Sequence, residues 1–420
     1  MRRAVLVMCD GLSREWLSPE RSPNIWALKE QGLWASDHRA VFPSVTRASA
    51  AAVATGHTPG NHGLHGNRMC FLVNGRLEVR DAGLPDFREH MRRATGRTLR
   101  VPTMAERLGG NAIAFSNVSP GAAYFLDPDH HGWVYHRAGC FGPGGEPITG
   151  EDALTVPSDP AGDLEMVERF RTEVLVERAP MLAICWQCSP DKTGHGAPLL
   201  GPDHTAALAA ADRHVGMIAE TVATLRANGD EVIFLVGSDH GMESIGPRVH
   251  VAQRLVNAGL KDSLDSGEVG VACQGTSALV YVAPGHEDRI PALREFLNEA
   301  EWTAAVLEGE SVDRLGARRE YGLTFALDMA HVDKDNGHGV AGQRYEAIDG
   351  AEGDGQGGFA QHGGLGARET APFLIVDDGS GQACETGAAT TLTHIVPTIL
   401  GWLGVSAADL PSPSLLGPIQ

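Results

Sequence analysis

The feature that most constrains this chain is a set of short, largely apolar runs that end in acidic or histidine residues. The runs at residues 3–9, 111–116, 181–187 and 231–237 read as buried strands, because they are too short for buried helices. Helical patterns at 163–178 and 202–228 lie between them. Open α/β sheets place their ligands at the carboxyl ends of the strands. The sequence therefore predicts an α/β fold with a polar site at that edge.

Candidate metal ligands follow three of these strands, and another histidine lies in a later Gln-His-Gly-Gly segment. The residues are Asp10, Asp191 with His195, Asp239 with His240, and His362. Carboxylates and neutral imidazoles are ordinary zinc ligands. Three of each suffice for two ions that keep open coordination positions, as a catalytic site requires. Each motif alone is weak, but together they favour a two-metal site.

A second informative stretch, residues 42–69, carries a candidate nucleophile. The Ala-rich run at 48–54 predicts a helix, so Thr46 lies where an extended segment turns into a helix. Backbone N–H groups at a helix N-terminus favour an anion there. Threonine at this position is more often only a helix cap. The metal-ligand motifs elsewhere in the chain favour the nucleophile, with Asn67 holding the substrate.

Composition excludes several classes of partner. The formal net charge of −19 argues against a nucleic-acid polymer or an anionic membrane surface. The apolar run before Asp10 is too short for a signal sequence, and no segment approaches the length of a membrane helix. Seven scattered cysteines indicate a reduced, cytoplasmic protein without disulfide bonds.

The regular pattern is interrupted at residues 245–355, which we interpret as an inserted α+β cap between two core segments, 1–244 and 356–420. Residues 120–147 are rich in Gly, Pro, His and aromatic residues, and read as a long ordered loop near the site. Tyr124, Trp133 and Tyr135 in this loop either contact a leaving group or only pack. The cap and this loop would set the substrate preference.

Several motifs together resemble the alkaline phosphatase superfamily, most closely the nucleotide pyrophosphatase/phosphodiesterases and the phosphonoacetate hydrolases. The motifs are FPSVTRASAAAVATGHTPGNHGLHGNRM, SPDKTGHG, VGSDHGM, QHGG and HIVPTILGWLG. The resemblance covers nearly the whole chain except the predicted cap. It implies a three-layer core with a mostly parallel central sheet.

The resemblance also implies a role for each site residue. One zinc ion would be bound by Asp191, His195 and His362, and the other by Asp10, Asp239, His240 and the Thr46 hydroxyl, with manganese or iron as alternatives. Thr46 would form a covalent phospho-threonine intermediate. Asn67 would donate a hydrogen bond to a non-bridging phosphoryl oxygen, and Arg47 would either contact substrate or face solvent.

Two departures from the family patterns bear on the substrate. Diesterases have Pro-Asn shortly after the nucleophile, where this chain has Arg47-Ala48-Ser49. Phosphonoacetate hydrolases hold the substrate carboxylate with two lysines, but no lysine lies between Lys29 and Lys192. An arginine, namely Arg68, Arg97 or Arg100, is a candidate substitute.

The expected function is hydrolysis of phosphodiesters or phosphonate esters, with a small phosphorylated or phosphonate substrate as the partner. A phosphonoacetate hydrolase-like cleavage of a C–P bond is the alternative. A non-catalytic metal-binding protein is the second alternative, which the intact ligand set disfavours. A homodimer is compatible with the sequence.

Overall fold

The fold is described from a computed structural model that covers residues 2–349 and 359–417. The strands up to residue 237 are β1 (Arg2–Cys9), β2 (Leu33–Ala35), β3 (His38–Arg39), β4 (Arg68–Val73), β5 (Arg76–Asp81), β6 (Ala112–Ser116), β7 (Trp133–Tyr135), β8 (Cys140–Phe141), β9 (Pro147–Ile148), β10 (Leu182–Gln187) and β11 (Glu231–Gly237). The later strands are β12 (Glu243–Val249), β13 (Val269–Cys273), β14 (Ser277–Val282), β15 (Thr303–Glu308), β16 (Leu323–Met329), β17 (His331–Val332), β18 (Gln343–Ala347), β19 (Ala360–Gln361), β20 (Leu374–Asp377), β21 (Cys384–Thr386) and β22 (Thr390–Thr391).

Helices connect these strands. They are α1 (Pro23–Lys29), α2 (Thr46–Thr55), α3 (Pro59–His62), α4 (Phe87–Thr95), α5 (Met104–Arg107), α6 (Pro120–Ala123), α7 (Pro160–Arg169), α8 (Asp191–Gly196), α9 (Pro202–Ala227), α10 (Val251–Asn257), α11 (Ile290–Glu299), α12 (Glu310–Arg314) and α13 (Ile395–Trp402). Helix α7 continues as a π-helical segment, Phe170–Arg178.

A ten-stranded sheet forms the centre, in the order β21-β2-β20-β11-β1-β10-β6-β7-β8-β9. The strands from β11 to β7 in this order are all parallel, whereas β20 runs antiparallel to both of its neighbours. The prediction of a mostly parallel central sheet is confirmed. Because the carboxyl ends of β11, β1 and β10 are adjacent, side chains that follow them meet at one edge.

The sheet is buried on both faces, which gives the molecule three layers. Leu6 and Met8 of β1 pack in one hydrophobic cluster with residues of α2 and α13. Val5 and Val7 point to the opposite face and pack with residues of α7 and α9. Alternation along a strand sends successive side chains to opposite faces, so a strand covered on both sides is apolar at nearly every position.

A second, antiparallel sheet lies in the later part of the chain, in the order β13-β14-β16-β15. We call it the small sheet. It has its own hydrophobic cluster, which includes Val271, Val280 and Phe325 together with residues of α10 and α11. The boundaries of the inserted cap, residues 245 and 355, stay a prediction. The Gly-rich, acidic run at 349–358 predicts a loop, but apart from Asp349 these residues lie outside the part of the chain that the structure describes.

Several local predictions were wrong because long-range pairing overrides local pattern. The sequence pattern at 247–258 predicts a helix, but the helix begins only at Val251, since β12 pairs with β18 and β19. The supposed loop at 120–147 contains α6 and extends the central sheet, with β7 parallel to β6. The sequence predicts a short hairpin and a loop at 70–97; the hairpin of β4 and β5 is present, but helix α4 forms where a loop is predicted.

Within the described chain, no helix combines the length and the apolar character needed to span a membrane. All seven cysteines are free, and six of them are buried.

Candidate active site

The candidate ligands lie together at the carboxyl edge of the central sheet. Asp10 follows β1, and Asp239 with His240 follows β11. The segment after β10 that carries Asp191 and His195 is predicted from sequence to be a loop, but the two residues lie on the short helix α8. Residues four apart share one face of a helix, so the Nε2 atom of His195 is 3.3 Å from Oδ2 of Asp191.

The three histidines are oriented by the backbone. Each Nδ1 atom faces a carbonyl oxygen: His195 that of Ala360 at 3.0 Å, His240 that of Gly241 at 2.9 Å, and His362 that of Ser44 at 2.8 Å. A hydrogen bond from Nδ1–H leaves the lone pair of Nε2 for a metal ion. These contacts therefore suit all three imidazoles to metal binding.

The ligand atoms form two overlapping groups. Oxygen and nitrogen atoms of Asp191, His195 and His362 lie within 4.8 Å of one another, as do those of Asp10, Asp191 and His240. Oδ2 of Asp239 is 3.1 Å from Nε2 of His240. Asp191 thus lies close to both groups, whereas the family pattern assigned it to one ion only.

Burial and charge in this cluster fit divalent cations. Oδ1 of Asp191 and Oδ2 of Asp239 are buried and have no hydrogen-bond donor among the described residues. Burial, and then the charge of Asp239, raise the pKa of Asp10 well above its usual range. Burial also lowers the pKa of His362 well below its usual range. Crowded buried carboxylates beside neutral imidazoles are costly without a cation, so these side chains suit a metal centre.

Thr46 is the first residue of α2 and points into this cluster. Its hydroxyl oxygen is 3.1 Å from Nε2 of His240 and 3.5 Å from Oδ1 of Asp10. The helix cap is Val45, and no side chain caps the helix. The alternative in which Thr46 is only a helix cap is therefore wrong. The Thr46 side chain instead lines a cavity of about 290 Å³ together with Asn67 and four of the metal-ligand candidates, Asp10, Asp191, His195 and His362.

Arg47 also lines this cavity, but it is tethered rather than free. Its Nη1 atom donates to the backbone oxygen of Asn67 at 3.0 Å and to Oδ1 of Asp81 at 2.5 Å. A Cβ atom at Gly83 would lie 2.5 Å from the Arg47 guanidinium, so the guanidinium has room because residue 83 is a glycine. Arg47 therefore fixes the backbone at Asn67 and faces the cavity at the same time.

Two cations of the cavity were missed by sequence reasoning. Arg137 and Lys192 both line it, and neither forms an ion pair with any residue within 2–349 or 359–417. Arg137 is anchored through Nη1, which donates to the backbone oxygens of Asn117 and Val118. Lys192 could have been found from its position directly after Asp191. No local signal marks Arg137.

Other candidates lie elsewhere. The structure does not bring the three candidate arginines to this cavity: Arg68 binds Asp349, Arg97 binds Glu106 and Arg100 binds Glu320. The aromatic side chains of Tyr124, Trp133 and Tyr135 do not line it either. Their positions support packing: the Tyr124 hydroxyl, for example, donates to the Gly139 carbonyl at 3.1 Å.

The three-layer fold with its mostly parallel sheet is alkaline-phosphatase-like, as in the solved structures of an ectonucleotide pyrophosphatase/phosphodiesterase and a phosphonoacetate hydrolase. The chain belongs to the type I phosphodiesterase/nucleotide pyrophosphatase family, whose profile matches residues 4–310. The resemblance inferred from the motifs is confirmed, and the family is one of phosphoryl hydrolases.

Solved structures share the fold at low sequence identity. An inactive variant of murine ectonucleotide pyrophosphatase/phosphodiesterase 5 in complex with AMP is 16% identical, with a TM-score of 0.66, over 97% of this chain and 96% of that chain. Phosphonoacetate hydrolase from Sinorhizobium meliloti 1021, in complex with phosphonoacetate, is 16% identical, with a TM-score of 0.66, over 94% of each chain. No curated protein matches the sequence.

Proposed function

We propose that this protein hydrolyses phosphodiesters or phosphonate esters through a covalent intermediate on Thr46. The observation that carries the proposal is the position of the Thr46 hydroxyl, 3.1 Å from Nε2 of His240 and inside the cavity that Asn67 lines. The family membership of the chain supports the same class of reaction.

The residues of the site divide the work of phosphoryl transfer. Two divalent ions, which we propose to be zinc, would be held by Asp10, Asp239 and His240 and by Asp191, His195 and His362. When bound, they would supply positive charge that lowers the pKa of a coordinated hydroxyl and neutralises phosphoryl oxygens.

Thr46 then attacks phosphorus, and the bond from phosphorus to the leaving group breaks. Asn67 donates its side-chain N–H to a non-bridging oxygen, together with the backbone N–H groups at the start of α2. Water attacks the phospho-threonine from the opposite side and restores the free hydroxyl. Phosphoryl transfer depends mainly on positioning and charge, which the buried and tethered side chains of this site provide.

The test is a parallel assay of zinc-restored protein on bis-p-nitrophenyl phosphate, p-nitrophenyl phenylphosphonate, p-nitrophenyl phosphate and phosphonoacetate. Thr46→Ala is the blank, and Thr155→Ala, at an exposed position, is the matched control. We expect turnover of the first two substrates that the blank loses and the control keeps. Turnover in Thr46→Ala equal to wild type would refute the nucleophile. No turnover with two bound ions per chain would favour the non-catalytic alternative.

A second candidate function is the hydrolysis of a C–P bond in a phosphonate that carries a carboxylate. It is favoured by Arg137 and Lys192, two cations of the cavity without ion-pair partners in the described chain. Guanidinium and ammonium groups bind carboxylates through charge-assisted hydrogen bonds.

The second candidate predicts a selective effect of these cations. Arg137→Gln should raise the KM for phosphonoacetate about tenfold more than the KM for p-nitrophenyl phenylphosphonate, the equivalent of one charge-assisted hydrogen bond. Arg21→Gln, on the surface, is the control. Equal effects on the two substrates would count against the carboxylate role.

A further inference from the structure

The hairpin turn 274–276, which joins β13 and β14 of the small sheet, reaches the candidate active site. Gln274 is 2% exposed. Its Oε1 atom accepts the backbone N–H of Asn67 at 2.7 Å, and its Nε2 atom donates to the backbone oxygen of Arg68 at 2.6 Å. One side chain from the small sheet thus holds peptide groups on both sides of the Asn67 side chain.

The remaining backbone group of Asn67 is held as well. Its carbonyl oxygen accepts from Nη1 of Arg47 at 3.0 Å and from the N–H of Ala82 at 2.9 Å. The side-chain amide, in contrast, makes no hydrogen bond within the described residues, and its Oδ1 atom is buried. The direction of this amide is therefore set by the backbone beneath it and by packing.

Close packing at the neighbouring glycine shows how tightly Gln274 fits. A Cβ atom at Gly66 would lie 2.3 Å from Oε1 of Gln274. That distance is far below van der Waals contact, so a side chain at this position would displace the glutamine amide. The amide of Gln274 occupies the space that any larger residue at position 66 would need.

The same turn also contacts the segment of the candidate ligand His362. The N–H of Thr276 donates to the backbone oxygen of His362 at 3.2 Å, and the hydroxyl of Ser277, the first residue of β14, donates to the backbone oxygen of Gly363. The turn therefore lies between the substrate-binding candidate Asn67 and one metal-ligand candidate, which come from parts of the chain far apart in sequence.

We propose that Gln274 is a positioning residue for catalysis, which acts by fixing the backbone of Asn67 so that its amide meets the phosphoryl group. The proposal rests on the proposed function, because it takes Asn67 to bind the phosphoryl oxygen. It assigns a task in the reaction to the small sheet, beyond covering the site. A donor that is held in place before the reaction stabilises the transition state without reorganising.

The test is a double-mutant cycle with Gln274→Met, Asn67→Ala and the double variant, assayed on bis-p-nitrophenyl phosphate. Methionine keeps the length of the side chain but loses both hydrogen bonds. We expect a loss in kcat/KM of about 100-fold for Asn67→Ala and about 10-fold for Gln274→Met, mainly in kcat. Because Gln274 acts through Asn67, the double variant should be no slower than Asn67→Ala. Multiplied losses, about 1,000-fold, would overturn the proposal.

Two further variants separate this role from a general loss of structure. Gln253→Met changes a glutamine whose side chain bonds Asn257 at the surface, and should match wild type. Gly66→Ala pushes the Gln274 amide aside from the opposite direction. It should also slow turnover, without adding to the loss from Asn67→Ala. If Gln274→Met fails to fold, Gly66→Ala in the same cycle decides the question.

Phosphate binding, measured by calorimetry on the zinc-loaded protein, separates a failure of this proposal from a failure of the proposed function. A wild type that binds phosphate but turns over no substrate would count against the proposed function. Gln274→Met and Asn67→Ala should then still weaken phosphate binding, and the double variant should match Asn67→Ala. Wild-type phosphate binding in Gln274→Met would overturn the proposal. A wild type without turnover or phosphate binding would overturn both.

Discussion

Replacing Arg344 with methionine would test how far a buried charge cluster supports the site. Arg344, on β18, is 1% exposed and donates through Nη2 to Asp328 and to the backbone oxygen of Met329. Its Nη1 atom is 3.7 Å from the carboxylate of Glu369, which is fully buried. Methionine has a similar length but no charge, so the variant leaves two carboxylates without their cation.

The expected loss in stability is large. Removing one partner of a buried ion pair typically costs about 3–5 kcal/mol, against a total stability of about 5–15 kcal/mol for a typical domain. Burial already raises the pKa values of Asp328 and Glu369, while the charge of Arg344 opposes that increase. Without Arg344 both pKa values should rise further above those of the unfolded chain.

The sign of the pH dependence follows from this shift. A carboxyl group whose pKa is higher in the folded state binds more protons there, so stability falls as the pH rises above the unfolded pKa. The deficit of Arg344→Met relative to wild type should therefore be larger at pH 8 than at pH 5.5. At the lower pH the carboxyl groups are protonated more readily, and the missing cation matters less.

Urea unfolding, followed by tryptophan fluorescence in the presence of a chelator, measures this deficit without a contribution from metal release. Arg2→Met is the control, because Arg2 pairs with Glu231 at the surface, where the two side chains are 43% and 59% exposed. Such a pair contributes less than about 1 kcal/mol. A loss in Arg344→Met no larger than in Arg2→Met, or a deficit that does not grow with pH, would refute the reasoning.

Three further predictions concern separate parts of the molecule. Burial lowers the pKa of His62 to about 3, so only the unfolded state takes up this proton below pH 6.5. His62→Asn should reduce the loss of stability on acidification by up to about 1.4 kcal/mol per pH unit, in denaturant midpoints from pH 6.5 to 4.5. An unchanged slope would contradict it. Asp81→Asn should loosen Arg47 and lower kcat/KM for bis-p-nitrophenyl phosphate about tenfold at an unchanged melting temperature. Wild-type turnover would show that this tether is not needed. His195→Ala should lower the zinc content from about two ions per chain to one and abolish turnover, since each ion has few protein ligands. Elemental analysis that still finds two ions would remove His195 from the ligand set.

The sequence was most informative where chemistry follows directly from local pattern. Asp10, Asp239 and His240 stand directly after buried strands, and neighbouring parallel strands bring such residues to one edge of a sheet. The helix that begins at Thr46 was likewise visible in the Ala-rich run that follows it. These predictions required only the arrangement of neighbouring parallel strands that is common in α/β folds.

The features that could not be predicted from the sequence depend on contacts between distant parts of the chain. Gln274 lies 207 residues from Asn67, and neither position carries a pattern that reveals the other. Arg137 lies between β7 and β8, and β7 is a three-residue strand that pairs with β6. Strand β12 contains Pro247 and few apolar residues, and it is a strand because β18 and β19 flank it. In each of these cases the local structure depends on tertiary pairing, which cannot be read from a single sequence.

Ser44 connects the candidate nucleophile Thr46 with the metal-ligand candidate His362. Its backbone oxygen faces Nδ1 of His362 at 2.8 Å, and its hydroxyl accepts the N–H of Gly363 and donates to the oxygen of Gly364. Ser44 lies two residues before Thr46, so any shift of the His362 segment moves the start of α2 with it. Glu369 holds the same segment, since it accepts the N–H of Gly364 at 2.8 Å. A disturbance of the Arg344 cluster should therefore weaken metal binding and misplace the Thr46 hydroxyl together, rather than one without the other.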